Sequence, residues 1–113
     1  MHIFSKRWLN RNFRDGTVYV MKVKYVIWHL HPYDKRKLGA SWSLHERIWQ
    51  DSKAVSVMRE LEAGKDPLRF KPLDLILHKT KEEFKVNDGI SRLKAFRKKR
   101  IKYIPVSLRL GDW

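Results

Sequence analysis

The sequence predicts an α+β domain, a mixed sheet opened by an N-terminal β-hairpin and covered by two or three helices. Three observations carry this. Segments rich in β-branched and aromatic residues come in pairs, helical stripes separate the pairs, and Gly, Pro and Asx-Gly punctuation falls between them. With 113 residues the chain suits one hydrophobic core and not two, so residues 1–113 are read as one domain, with 1–20 as an N-terminal hairpin extension. No repeat, low-complexity segment or internal linker divides it.

The first two strands are "HIFSKRWL" and "TVYVMKVKYVIWHL". Asp15-Gly16 between them suits a two-residue hairpin, whose central positions need positive φ. In the second run Tyr19, Met21, Val23, Tyr25 and Ile27 fall on one face while Lys22 and Lys24 interrupt the other, the pattern of a half-buried strand lying centrally in the sheet. Pro32, Asp34 and Gly39 then mark "HPYDKRKLGA" as a loop. Ser43 and Glu46 have capping-box spacing and start a helix near Leu44. Ala54, Val57, Met58 and Leu61 follow an i, i+3, i+4, i+7 stripe to about Ala63, with Gly64 as C-terminal cap and Asp51-Ser52 as the alternative start of a second helix. After Pro67 and Pro72, "PLDLILHKT" and "EEFKV" form another hairpin linked through Lys79 to Glu82. A helix from Gly89 to about Lys99 and the strand "KYIPVSLRL" complete the chain.

Charge narrows the function. The chain has 26 Lys+Arg against 12 Asp+Glu, a net +14 whose self-repulsion a polyanion would relieve. Nucleic acid is therefore the first expected partner, DNA ahead of RNA; an acidic protein is the alternative, which would make the chain a basic interaction module. The absence of cysteine excludes disulfides, thiolate nucleophiles and Cys-ligated zinc. No apolar run approaches the ~18 residues of a membrane span. The N-terminus "MHIFSKRWLNRNFR" lacks the apolar stretch and cleavage site of a secretory signal, so a cytoplasmic protein without a membrane partner is expected. His29 and His31 would share a strand face, with Asp34 soon after, but two histidines fall short of a zinc ligand set and no metal site is assigned. His31-Pro32 is taken to end the strand, and His45 and His78 are read as surface residues.

The stretch "FKVNDGISRLKAFRKKR" carries the candidate site. A strand to Val86, a sharp turn through Asn87-Asp88-Gly89 and a helix from Ile90 would leave first-turn N–H groups unpaired at the positive end of a helix dipole. Such a corner suits phosphate: Asn87 and Gly89 form the turn, Gly89 permits close backbone approach, the Ser91 hydroxyl can donate, and Arg92 can clamp in bidentate fashion. Ordinary capping is the alternative, with Asp88 as N-cap. From 89 to 102 seven basic residues occur with no acid among them: Arg92, Lys94, Arg97, Lys98, Lys99, Arg100 and Lys102. Ile90, Leu93 and Phe96 project to one side, and Lys94 and Lys98, with Lys99 and Arg92 at the margin, form a cationic stripe on the other. Lys35, Arg36 and Lys37 form a second basic cluster in the "HPYDKRKLG" loop. Contacts of this kind read no bases, so weak sequence specificity is expected unless Trp8, Trp42 or Trp49 stacks on single strands.

From Val23 to Leu108, a span of about 85 positions, these landmarks resemble the ParB N-terminal-like domain, the fold shared with sulfiredoxin. The resemblance rests on Gly64, Pro72, the run Asp88-Gly89-Ile90-Ser91-Arg92-Leu93-Lys94-Ala95 and Ile104-Pro105-Val106, in that order. It implies a turn-helix that holds nucleotide phosphates or approaches DNA through Asp88, Gly89, Ser91 and Arg92. It also implies, as alternatives, a ParB-like nuclease or a nucleotide-hydrolysing enzyme, with Asp88 as the acidic catalytic group and Mg²⁺ or a nucleotide as cofactor, and a homodimer as one assembly state. Ile90 and Ser91 stand where sulfiredoxin has its reactive cysteine, so sulfinic-acid reduction is excluded. After the I-P-V strand the sequence shows neither the further Glu-Asn-rich and Arg-rich motif nor a helix-turn-helix, so partition-site reading and CTP-gated clamping are not expected.

Overall fold

The computed structural model describes residues 17–38 and 51–112. The Asp15-Gly16 hairpin, the capping box at Ser43–Glu46, Gly39, His45, Trp8, Trp42 and Trp49 lie outside them. Four strands, β1 (Val18–Lys22), β2 (Leu73–His78), β3 (Phe84–Asp88) and β4 (Tyr103–Gly111), form one mixed sheet in the order β1-β4-β2-β3. β4 pairs antiparallel with β1 and parallel with β2, while β2 and β3 make the expected hairpin. Four helices accompany them: α1 (Val23–Trp28), α2 (Pro32–Leu38), α3 (Ser52–Glu62) and α4 (Ile90–Lys98). The α+β reading therefore holds.

Two expectations of secondary structure do not. The strand expected through "TVYVMKVKYVIWHL" stops at Lys22, where it gives way to α1; among the described residues its one sheet neighbour is β4. The reason is that the stretch carries two periodicities. Val23, Val26, Ile27 and Leu30 also stand at i, i+3, i+4 and i+7, and Val23, Val26 and Leu30 are the ones buried. The partner decides between the two periods: Lys22 pairs with Tyr103, the first residue of β4, and Val23 N–H donates to Lys102 at 3.0 Å, so the ladder has nowhere to continue. His29 and His31 consequently share no strand face. The loop expected at "HPYDKRKLG" is helical from Pro32, a residue suited to the first helical position because it has no N–H to leave unpaired.

The core fills with Met21, Leu73, Leu75, Leu77, Ile104, Val106 and Leu108 from alternating sheet positions, closed by Leu93 and Phe96 of α4 and by Val26 and Leu30. Phe84, also fully buried, anchors β3. Among the described residues β3 is an edge strand, and its outer groups are taken up locally. Phe84 N–H donates to the His29 carbonyl, His31 N–H donates to the Phe84 carbonyl, and Val86 N–H donates to the Asp34 carboxylate at 2.9 Å. Asp34 is only 2% exposed, a buried carboxylate that closes a sheet edge. His78 is likewise buried, contrary to its surface reading; its Nδ1 accepts from the N–H groups of Thr80 and Lys81 and so shapes the β2–β3 turn.

Helix ends are built twice by the same device. At the end of α3, Gly64 N–H reaches Leu61 O and Lys65 N–H reaches Glu60 O, with Gly64 at φ +95°. At the end of α4, Arg100 N–H reaches Arg97 O and Ile101 N–H reaches Phe96 O, with Arg100 at φ +56°. Both are Schellman closures. The first uses glycine; the second holds an arginine in the left-handed region at a cost of roughly 1–2 kcal/mol.

Asp34→Ala should destabilise the protein by about 2–3 kcal/mol in urea unfolding, because it strands the Val86 N–H at a covered edge. An unchanged midpoint would show that this bond contributes nothing.

Candidate functional site: the Gly89 turn

A bulge prepares the corner. Asp74 pairs with Asp88 but Leu75 pairs with Val86, which leaves Asn87 as the extra residue and bends β3 just before the turn. Gly89 follows at φ +112°, acting as N-cap of α4 with no side chain to accept from the first-turn N–H groups. The positive φ favours glycine here, and the space is tight: a Cβ would come within 2.6 Å of Leu73 Cδ1 and 2.7 Å of Arg92 Nη2, so those side chains would have to shift. Asp88 is thus not the N-cap. Its carboxylate instead lies 3.4 Å from Lys71 Nζ and 3.7 Å from Arg92 Nη2.

α3 is laid alongside α4 in the same direction. Asp51, the N-cap of α3, accepts from Ala54 N–H at 3.0 Å, from the Ser91 hydroxyl at 2.9 Å and from Lys94 Nζ at 3.3 Å, while Glu62 at the far end meets Lys99 at 3.5 Å. Between these ends Ala54, Met58 and Ala95 pack together, the two alanines letting the helices approach closely. Both helix N-termini therefore meet at one corner, where their partial positive charges add. Burial alone would push the Asp51 carboxyl up, but the Ala54 N–H, the Ser91 hydroxyl and the Lys94 ammonium outweigh it and hold the carboxyl below its usual range.

A pocket of about 560 Å³ opens at this corner between α3, the segment Lys65–Lys71 and the turn. Gly89, Ser91, Arg92 and Asp88 line it, as do Lys53, Lys65, Lys71 and Glu60. Among the described residues, four cations thus face two carboxylates. The expected residues are distributed unevenly. Arg92 is there, its side chain 17% exposed, with Nη2 donating to the Pro72 carbonyl at 3.2 Å and Nε buried without a hydrogen-bond partner. Ser91 borders the pocket, but its hydroxyl is taken by Asp51. Asn87 turns away and donates to Asp74 at 2.8 Å.

The open cationic stripe expected on α4 is replaced by packing, because α3 covers that side: Lys94 is bound to Asp51, Lys99 to Glu62, and Lys98 is half-buried. Lys35, Arg36 and Lys37 are exposed on α2, which packs against α4, but none of them lines the pocket. Glu82 and Glu83 precede β3, at the opposite end of that strand from Asp88; Glu82 accepts from the Tyr25 hydroxyl at 3.1 Å. Among the described residues no group of three or more His, Asp or Glu side chains is placed to share a metal ion. Sequence reasoning missed Lys53, Lys65 and Lys71, which stand on separate segments and are gathered only by the packing of α3.

The sheet order, the parallel β2–β4 pair and the turn into α4 together define a sulfiredoxin-like α+β fold. The crystal structure of sulfiredoxin from Arabidopsis thaliana matches with a TM-score of 0.51 at 15% sequence identity, covering 85% of this chain and 88% of the plant protein. At that identity the likeness is one of fold. No family model and no curated protein matches the chain. Among the described residues no helix is long and apolar enough to cross a membrane.

Gly89→Ala should cost about 1–3 kcal/mol in thermal or urea unfolding, since strain and the nearby Arg92 side chain both oppose a Cβ. A neutral outcome would mean that the turn rebuilds itself. Asp51→Asn should cost about 1–2 kcal/mol at pH 7. Because the folded-state pKa of Asp51 lies below its unfolded value, its contribution is complete above the ordinary carboxylate range and is lost as the pH falls below about 4. The gap between wild type and Asp51→Asn should therefore narrow in acid; a constant gap from pH 7 to pH 2 would contradict the assignment.

Proposed function

We propose that the protein binds nucleic acid, DNA in preference to RNA, by gripping backbone phosphate at the Gly89 corner. The observation that carries this is the meeting of two helix N-termini with Lys53, Lys65, Lys71 and Arg92 around one open pocket. α4 enters it with N–H groups that no side chain of its N-cap satisfies, and an oxyanion there would accept from them while its charge is met by the surrounding ammonium groups. Asp88 is the resident counter-ion of Lys71 and Arg92, so a phosphate competes with an exposed carboxylate and gains most when it brings more than one negative charge. The net charge of +14 works in the same direction at longer range. The turn-helix run Asp88–Ala95, which resembles that of ParB-like domains, agrees with this reading. Grip on phosphate alone discriminates little between sequences.

Anisotropy titrations of a labelled duplex at several salt concentrations should give a log K that falls linearly with log salt, as counterions are released. The double variant Lys53→Ala/Lys71→Ala, both exposed side chains, should bind less tightly and with a slope smaller by about 2, each phosphate left without its lysine accounting for ~0.9. Salt-independent binding, or an unaltered slope in the double variant, would remove the pocket from the proposal.

A further inference from the structure

A second surface lies at the other end of α4. Between α1 and the Schellman closure runs a groove of about 980 Å³ lined by Lys22, Lys24, Arg97, Arg100 and Lys102, with Val23, Ile27 and Ile101 as its apolar floor and Trp28 at its side. Five cations face it, and among the described residues no carboxylate does.

Trp28 is 76% exposed, the most exposed of the large hydrophobic side chains among the described residues. α1 buries Val23 and Val26, and Trp28 projects away from that stripe, so the core makes little use of the indole. A tryptophan left in water forgoes the largest apolar burial any side chain can offer. Lys35 Nζ stands 5.9 Å from the centre of its ring, which keeps one more cation beside it.

Arg100 gives the second indication. Its place in the helix closure is one where glycine costs nothing, as Gly64 shows at the end of α3, yet here an arginine is held at φ +56° and presented to the groove. A strained side chain kept where the fold would do better without it is the mark of a group retained to meet something else.

We infer that this groove binds single-stranded nucleic acid, with Trp28 stacking on a base and Lys24, Arg100 and Lys102 meeting the phosphates on either side. A flat ring bordered by spaced cations fits that chemistry, since every base offers a π-face and the backbone carries charge at regular intervals. Duplex DNA hides its base faces in the stack and would leave the ring unused. An acidic peptide would match the charge but offers a ring to the indole only where it carries an aromatic side chain, whereas a single strand offers one at every nucleotide. The inference extends the nucleic-acid reading to a separate surface and does not depend on the Gly89 pocket.

The test uses the full chain and a fluorescein-labelled oligo-dT of twelve nucleotides. Wild type should bind it, Trp28→Ala should bind about 5- to 100-fold more weakly, and Trp28→Phe should recover most of that affinity, in keeping with the usual worth of one stacked base. Arg100→Gly should weaken binding several-fold while its melting temperature equals or exceeds that of wild type, which separates an effect on the ligand from an effect on folding. A duplex of mixed sequence should be indifferent to Trp28→Ala. Equal oligo-dT affinity in wild type and Trp28→Ala would overturn the inference. So would competition by poly-glutamate that weakens on Trp28→Ala as much as oligo-dT binding does, because the groove would then be reading acidic polypeptide. Weakened oligo-dT binding confined to Lys53→Ala/Lys71→Ala would also overturn it and leave the Gly89 pocket as the sole site.

Discussion

The carboxylate of Asp51 is the joint on which the rest of the site depends. It caps α3, takes the Ser91 hydroxyl and neutralises Lys94, so it fixes two helices side by side with their positive ends together. Parallel helix dipoles repel at close range, and a carboxylate set between the two N-termini offsets that repulsion where it is strongest. Without it the start of α3 would lose its tie to Ser91 and Lys94, and only the Ala54–Met58–Ala95 packing and the Glu62–Lys99 pair would join the two helices. The pocket is a consequence of this pairing more than of the turn itself.

The scarce acids of the described residues are mostly committed to structure. Asp34 closes the β3 edge, Asp51 joins the helices, Asp74 takes Asn87 and Arg109, and Asp88 lies between Lys71 and Arg92. Glu60 and Glu62 pair with Lys65 and Lys99 near the end of α3. Such exposed pairs add little stability singly, but they decide where positive charge is left over. It is left over at the two ends of α4: beside Gly89, where carboxylates partly offset it, and in the groove beneath Trp28, where no described carboxylate does. Partial burial lowers the pKa of the Arg97 guanidinium in that groove from its ordinary value.

Much of the fold was legible because it is written in local chemistry. Gly64 at the end of α3, the β2–β3 hairpin and the glycine turn into α4 each follow from a residue whose backbone or hydrogen-bonding preference leaves one sensible place for it, while Asp51 at the start of α3 was one of two readings. Legibility failed where two local readings were equally good. Val23–Trp28 alternates like a strand and repeats like a helix, and "HPYDKRKLG" contains both loop punctuation and a proline that starts helices well. Lys94 eludes sequence reasoning for a related reason: the chain shows the spacing of charges on a helix but not which neighbour lies over them.

The sequence by itself determined the α+β class, the turn at Gly89, the surplus of positive charge and the exclusion of cysteine chemistry, because each of these depends on composition or on residues adjacent in the chain. Tertiary structure alone decided that β1 ends at Lys22, that α3 covers the back of α4, that Lys53, Lys65 and Lys71 gather at the turn and that Trp28 is left in the open. Those outcomes depend on which surfaces meet, and the meeting of segments far apart in the chain is set by the competition of all faces for burial, which no single stretch of residues records.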